Sequence, residues 1–297
     1  MLGLPDDPHS VVGRHAVQYS RVIDLACPVR ACAEPLELGE QLALRCRRGH
    51  SFDRARPGYW NLLQPQDRRS ATPGDSPDAM AARRRWIDAG RADPLVAELR
   101  RTLAGVPLGA RPAVVDLGCG DGALLARVLV ERDVELCGID VSATAIKSAA
   151  RVLPGATWIV ANADRRLPLA DGSTDLALSL FGRRNGPELQ RILRPAGVFV
   201  VAVPGADDLI ELREAVQGRA LRLDRVPATL AALAAEFDLA ERRTSSWAAI
   251  LDAHGIADAL ALTYRGARRR ERERTRSLSS IAVTLSAELL VFRSRSC

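Results

Sequence analysis

Lysine is almost missing from this 297-residue chain: of its 42 basic side chains Lys147 is the single lysine, and arginine supplies the rest. Coding bias alone produces such an imbalance, so arginine richness and a net charge of +6 do not by themselves point to an acidic partner. No uninterrupted apolar run approaches the roughly 18 residues that span a bilayer. The N-terminus lacks the basic, apolar, small-residue order of a secretory leader. The expectation is a soluble, cytoplasmic protein that needs no membrane. A disulfide framework is also absent. The six cysteines are either scattered through α/β-type sequence or grouped with a histidine, which favours reduced thiols. There is no internal repeat, and low complexity is confined to residues 268–276.

What is present is sharply placed. Residues 45–91 hold eleven arginines against five aspartates, so this stretch carries the whole net charge and the remainder sums to zero. Phe52, Tyr59, Trp60 and Trp86 are interleaved with those arginines. Phosphates are neutralised and unpaired bases stack on surfaces of this composition, and Arg68, Arg69, Arg83 and Arg84 are the candidate RNA contacts. The competing reading is a solvated arginine face with its aromatics in a local core.

A chain that is 47% hydrophobic can bury a full-sized α/β core and carry a small module besides. Three parts are expected: an N-terminal extension over 1–24 with a short strand around Val22, a cysteine module with its linker over 25–75, and a catalytic domain over 76–297. The module is too short to build a core without a staple. Residues 53–80, rich in Pro, Gly, Asp, Ser and Arg, read as a connector with little regular structure. Ser76 as cap and Pro77 at the first helical position start a helix running to Asp88, and a second helix covers Pro94–Leu103. From Ala113 onward buried apolar runs (113–117, 134–140, 157–161, 176–180, 197–203) alternate with helical patterns at 123–130, 143–153 and 187–193. This order predicts a doubly wound sheet, ending in a helix at 258–263 and an antiparallel strand at 287–292.

Two constellations carry chemistry. Cys27, Cys32, Cys46 and His50 follow C-x4-C-x13-C-x3-H, a donor set that closes a zinc tetrahedron and leaves no open position, hence a structural metal. Small buried cysteines are the alternative. Cys119 and Cys137 read as core residues. The second constellation is Asp116-Leu-Gly-Cys-Gly-Asp-Gly122 after a buried strand. Its glycines permit positive φ and close approach to a ligand, the next helix offers free N–H groups, and Asp140 ends the following strand where it can accept from ribose hydroxyls.

The run Val115–Gly122 resembles motif I of the class I S-adenosylmethionine methyltransferases, with Ala161-Asn-Ala-Asp164, Asp171–Asp175 and Arg194–Gly197 resembling later motifs. The resemblance implies an α/β Rossmann-like fold and a cofactor, S-adenosylmethionine, held by Asp116, Gly118, Gly120, Asp121, Gly122, Asp140, Asn162 and Ala163. Asp140 would take the ribose, the glycine loop the methionine moiety, and Asn162 with Ala163 the adenine.

A more specific resemblance joins the zinc pattern to Arg48–Leu63, Arg68-Arg69-Ser70, Pro73–Ser76, Met80, Ala82–Arg84 and Asp88–Gly90. Together these look like the bacterial large-subunit rRNA guanine-N1 methyltransferases, the family that includes the tylosin-resistance type. It implies methylation of a guanine in a 23S rRNA hairpin, a link to macrolide resistance, and a homodimer as a candidate assembly. Departures are the x4 spacing of the first cysteine pair, Ala92 in place of an aromatic just before Pro94-Leu95, Leu180-Phe-Gly-Arg-Arg-Asn185 where the family carries a proline, and the stretch after Leu262-Thr263, which lacks the family's proline and nearby tryptophan. Ligands gather at strand carboxyl ends, so Phe181 and Arg183 are the pocket candidates, and no residue is singled out as the base. A small-molecule methyltransferase on the same scaffold and a non-catalytic RNA-binding paralogue remain as alternatives.

Overall fold

The computed structural model describes residues 23–67, 74–263, 273–275 and 278–295. The expected strand at Val22, the candidate contacts Arg68 and Arg69, and most of the 268–276 run lie outside those residues. Four short strands, β1 (Leu25–Ala26), β2 (Pro35–Leu38), β3 (Leu44–Arg45) and β4 (Ser51–Phe52), make an antiparallel sheet in the order β1-β2-β3-β4. They fold the cysteine module.

The expected connector is not a connector. β5 (Arg54–Ala55) and β6 (Tyr59–Asn61) form a hairpin, and Trp60 and Asn61 pair in parallel with Ile159 and Val160. Proline, glycine and arginine hide this hairpin because its strands are only two and three residues long, and Trp60 supplies the buried anchor. Its indole N–H donates to the Leu42 carbonyl at 3.1 Å, tying the hairpin to the cysteine module.

α1 (Pro77–Asp88) starts as read from the sequence: the Ser76 side chain accepts from Ala79 N, and Pro77 fills a position whose N–H would have no helical partner. α2 (Asp93–Ala104) follows. Then β7 (Ala113–Leu117), α3 (Ala123–Val128), β8 (Glu135–Asp140), α4 (Ala143–Val152), β9 (Thr157–Val160), β10 (Thr174–Leu180), α5 (Gly186–Ile192) and β11 (Leu193–Pro204) reproduce the expected alternation within a few residues. After α6 (Ile210–Gln217) and α7 (Val226–Leu233) come β12 (Phe237–Asp252), α8 (Ala253–Thr263) and β13 (Ser280–Ser294). The sheet order is β12-β13-β11-β10-β7-β8-β9-β6-β5, with β13 antiparallel to β11 and β12. Chain order reverses between β7 and β10, which opens a crevice at their carboxyl ends.

Period-two alternation splits the core over the two sheet faces. Val114, Leu136, Trp158, Leu178 and Val200 pack under α2, α3 and α4. Val115, Ile139, Ile159, Phe199 and Val201 face the other way, into one continuous cluster with Leu25, Cys27, Leu44 and Trp60. Backbone bonds from Ala26 N to Pro168 O and from Ala170 N to Asp24 O complete the seam. The metal module is therefore built onto the main core. No helix among the described residues is long and apolar enough to cross a membrane.

Candidate functional site

In the cysteine module a loop after β1 carries Cys32, and a turn after β3 closes with Gly49 N donating to Cys46 O and Cys46 N donating to His50 O. Gly49 sits at φ 86° and Ala31, inside the x4 loop, at φ 59°, so the longer spacing is absorbed by a left-handed residue. These turns bring Cys27 Sγ within 3.4 Å and Cys46 Sγ within 3.3 Å of His50 Nδ1, with Cys32 Sγ 3.8 Å from Cys46 Sγ. All four donor atoms lie within 4.8 Å of one another. Donors about 2.1–2.3 Å from a common zinc ion stand roughly 3.6–3.8 Å apart, so the set fits that metal. Burial pushes the Cys27 thiol up to about 12. Burial also acts against the Cys46 thiolate, but hydrogen bonds from the His50 and Arg48 backbone and the His50 ring outweigh it and bring that thiol to about 7.

The second site is a cleft of about 920 Å³ at the crevice. It collects, from β7, β8 and the segment after β9, Asp116, Gly118, Gly120, Asp121, Asp140, Asn162 and Ala163. Thus seven of the eight sequence-predicted cofactor residues line one cavity. Gly122 lies just behind, at φ 71°, where a Cβ would press on Trp158 at 3.0 Å. Gly118 (φ 76°) abuts Gly182 of the loop after β10, with a Cβ on Gly118 only 3.1 Å from Gly182 Cα. The two loops touch because neither carries a side chain there.

Asp140 orders this loop. Its two oxygens accept from Gly120 N at 3.0 Å and Ser142 N at 2.8 Å, which leaves a lone pair on each for a diol. Burial raises its carboxyl above the ordinary range, against those backbone bonds and the nearby Arg83. Asp116 is deeper. Burial, with Asp140 adding, pushes it up to about 8, and its Oδ1 is buried without a hydrogen-bond partner among the described residues. An orphaned acidic oxygen beside a glycine cradle fits a ligand that brings a cationic donor, as S-adenosylmethionine does with its ammonium. Asn162 is held by its own contacts, Nδ2 to the Asp67 carbonyl and Oδ1 from Asp164 N.

Across the switch point the wall comes from the loops after β10 and β11 and from α8, β12 and β13. Phe181 and Arg183 are both on it. Phe181 is 45% exposed and held at φ 62°, a conformation a phenylalanine seldom takes. Arg183 faces Asp164 at 3.9 Å. Sequence reasoning missed Arg184, Asp208, Trp247 and Ser286 on the same wall. Arg184 was legible as the neighbour of Arg183; the other three follow segments with no motif.

The basic segment is less free than its composition implies. Arg83 pairs with Asp75, Arg84 with Asp121 at 3.0 Å, Arg85 with Asp258 at 2.6 Å and Arg91 with Asp252 at 3.5 Å. Three of those four carboxylates come from outside residues 45–91, and Arg83 lines the cofactor cleft itself. Of the described arginines on or beside the cysteine module, Arg30, Arg45, Arg47, Arg54 and Arg56 are exposed and have no ion pair with a described residue, and Arg54 stacks over Trp60.

Residues 25–71 match the family model described as "RlmA, N-terminal", a zinc ribbon, and residues 114–197 match the methyltransferase domain model. The 23S rRNA (guanine(748)-N(1))-methyltransferase of Streptomyces fradiae is 42% identical over 207 residues, which is 68% of this chain and 69% of that one. Chains named as 23S rRNA (guanine-N1)-methyltransferases from Micromonospora griseorubida and Bacillus subtilis are 42% and 31% identical over 206 and 204 residues. These cover 63% and 65% of this chain and 68% and 70% of their own lengths. The chain belongs to the 23S rRNA (guanine-N1)-methyltransferase family. It is accordingly a class I, S-adenosylmethionine-dependent methyltransferase with an N-terminal zinc ribbon.

Proposed function

We propose that the protein transfers a methyl group from S-adenosylmethionine to N1 of a guanine in a hairpin of 23S rRNA. The observation that carries this reading is the extent of the family match, which takes in the metal module as well as the cofactor cleft.

In this reading Asp140 accepts from the ribose hydroxyls, the Gly118–Gly122 loop borders the methionine moiety, Asp116 meets its ammonium, and Asn162 with Ala163 faces the adenine. N1 lies on the Watson–Crick edge, so the base must be unpaired or extruded before it can react. Phe181, exposed on the cleft wall, suits stacking on such a base, and Arg184, half-buried in that wall without an ion pair among the described residues, suits a phosphate. The zinc ribbon contributes Arg30, Arg45, Arg47 and Arg56 to the backbone of the hairpin, with Arg68 and Arg69 as further contacts. Alignment of acceptor and donor in one cleft supplies up to ~7–11 kcal/mol of the acceleration.

The test is transfer of a tritiated methyl group to rRNA lacking the modification, with the product located by reverse transcription, since an N1-methyl group blocks base pairing. Label at a guanine in a hairpin loop is expected. Label on a metabolite panel instead, or on nothing, rejects the reading.

A further inference from the structure

Among the described groups lining the acceptor wall, between the loop after β10 and strand β13, Asp208 is the one carboxylate. Phe181, Trp247 and the apolar residues cannot take a proton at neutral pH, Arg183 and Arg184 are already cationic, and the Ser286 hydroxyl is a poor base. The other carboxylates of the cleft are on the cofactor side or ion-paired: Asp121 with Arg84, Asp75 with Arg83, Asp67 with Arg165, Asp164 with Arg183. Asp208 lies just past the carboxyl end of β11, on the opposite side of the switch point from Asp140.

Its surroundings fix it in place. Oδ1 accepts from Ser286 N at 2.9 Å, and the Arg213 guanidinium donates to the Asp208 backbone carbonyl. Oδ2 has no partner among the described residues. We propose that Asp208 Oδ2 accepts the N1 proton of the target guanine and orients its Watson–Crick edge toward the cofactor. This rests on the reading of the protein as a guanine-N1 methyltransferase.

The step balances. As the N1–methyl bond forms, the methyl–sulfur bond breaks and sulfur keeps the electron pair, while the N1–H bonding pair stays on the ring and the proton passes to Asp208. The carboxyl group suits this role, because burial pushes it up to about 6, against the Ser286 backbone bond and the charges of Arg213 and Arg225, with Glu211 adding to the rise. A proton acceptor near the working pH combines readiness with driving force. Those four groups, on α6, at the start of α7 and on β13, are the ones that face it.

Asp208→Asn keeps an oxygen for Ser286 N and removes the basic site. The single-turnover rate is expected to fall ~10²- to 10⁴-fold, with S-adenosylmethionine affinity little changed. In the parent the rate should rise with pH through an acid limb near 6 as the carboxylate forms, and the variant should lose that limb. A second readout needs no turnover: affinity of the cofactor-free parent for the hairpin should increase between pH 5 and 7, whereas that of Asp208→Asn should not. Asp208→Glu, which retains the carboxylate, should recover part of the rate together with the limb, and carries the test if the asparagine variant fails to fold. Asp208→Asn with the parent's rate, or with a lower rate on an unchanged acid limb, overturns the assignment. A parent that methylates no guanine rejects the broader reading first, before the variants are compared.

Discussion

Arg84 Nη2 lies 3.0 Å from Asp121 Oδ2, so an arginine of the basic segment holds the carboxylate at the centre of the glycine loop. The other Asp121 oxygen accepts from Ala123 N at 3.2 Å, at the first residue of α3. The pair thus links α1 to the loop that borders the cofactor, whereas composition assigned Arg84 to RNA and the motif resemblance assigned Asp121 to the cofactor.

A crossed experiment follows. Arg84→Ala should weaken S-adenosylmethionine by about 1.5- to 5-fold, since a half-exposed ion pair is worth roughly 0.2–1 kcal/mol, and leave the salt dependence of RNA binding nearly unaltered. Arg45→Ala with Arg47→Ala should do the reverse, leaving cofactor affinity intact and lowering the log–log salt slope by ~0.7–0.9 for each phosphate no longer neutralised. Calorimetry and filter binding at several salt concentrations give both numbers. Equal salt slopes for the parent and the Arg45/Arg47 variant would remove the ribbon arginines from the RNA interface.

The sheet from β7 to β11 was legible because each strand is buried on both faces and reads as an unbroken apolar run. The cleft was legible through Asp116, the three glycines and Asp140, which are close in sequence as well as space. Strand β12 gave no such signal. Its sixteen residues form an edge that alternates between exposed and half-exposed, with Ile250 at 78% exposure, and it exists through its ladder with β13. The ion pair of Arg84 was hidden for a related reason: Asp121, which holds it, is a tertiary neighbour 37 residues away, and a charge count along the chain cannot see it. Asp208 and Ser286 face each other across 78 residues and belong to no motif.

Metal content is the next expectation: about one zinc ion per chain, released on replacing Cys46 by serine or by prolonged chelation. Because Cys27, Leu44 and Trp60 share a cluster with Ile159 and Phe199, loss of the metal should also lower the melting temperature of the whole chain. Metal analysis with thermal unfolding checks both, and a metal-free protein that melts like the parent would contradict them.

Asp116 provides the pH test. Its folded-state carboxyl is pushed up to about 8 from an ordinary value near 4, so the neutral form favours the fold. That contribution is complete below pH ~4 and is lost as pH rises through about 8. Cofactor-free protein should therefore lose stability between pH 5 and pH 9. Each tenfold weakening of the acid corresponds to ~1.4 kcal/mol, which makes the loss several kcal/mol. Asp116→Asn carries no charge to bury, so the variant should match the parent near pH 5 and exceed it at pH 9. Its residual slope comes from Asp208, Asp140 and the other shifted groups, which are common to both proteins. Saturating S-adenosylmethionine should flatten the parent's curve by placing a positive charge against the carboxylate, and should leave the variant's curve almost unchanged because it binds weakly. Melting temperatures across that pH range, with and without cofactor, supply the comparison. Parallel curves for the two proteins would mean that Asp116 ionises in the folded chain as readily as in the unfolded one, and would overturn the raised acid.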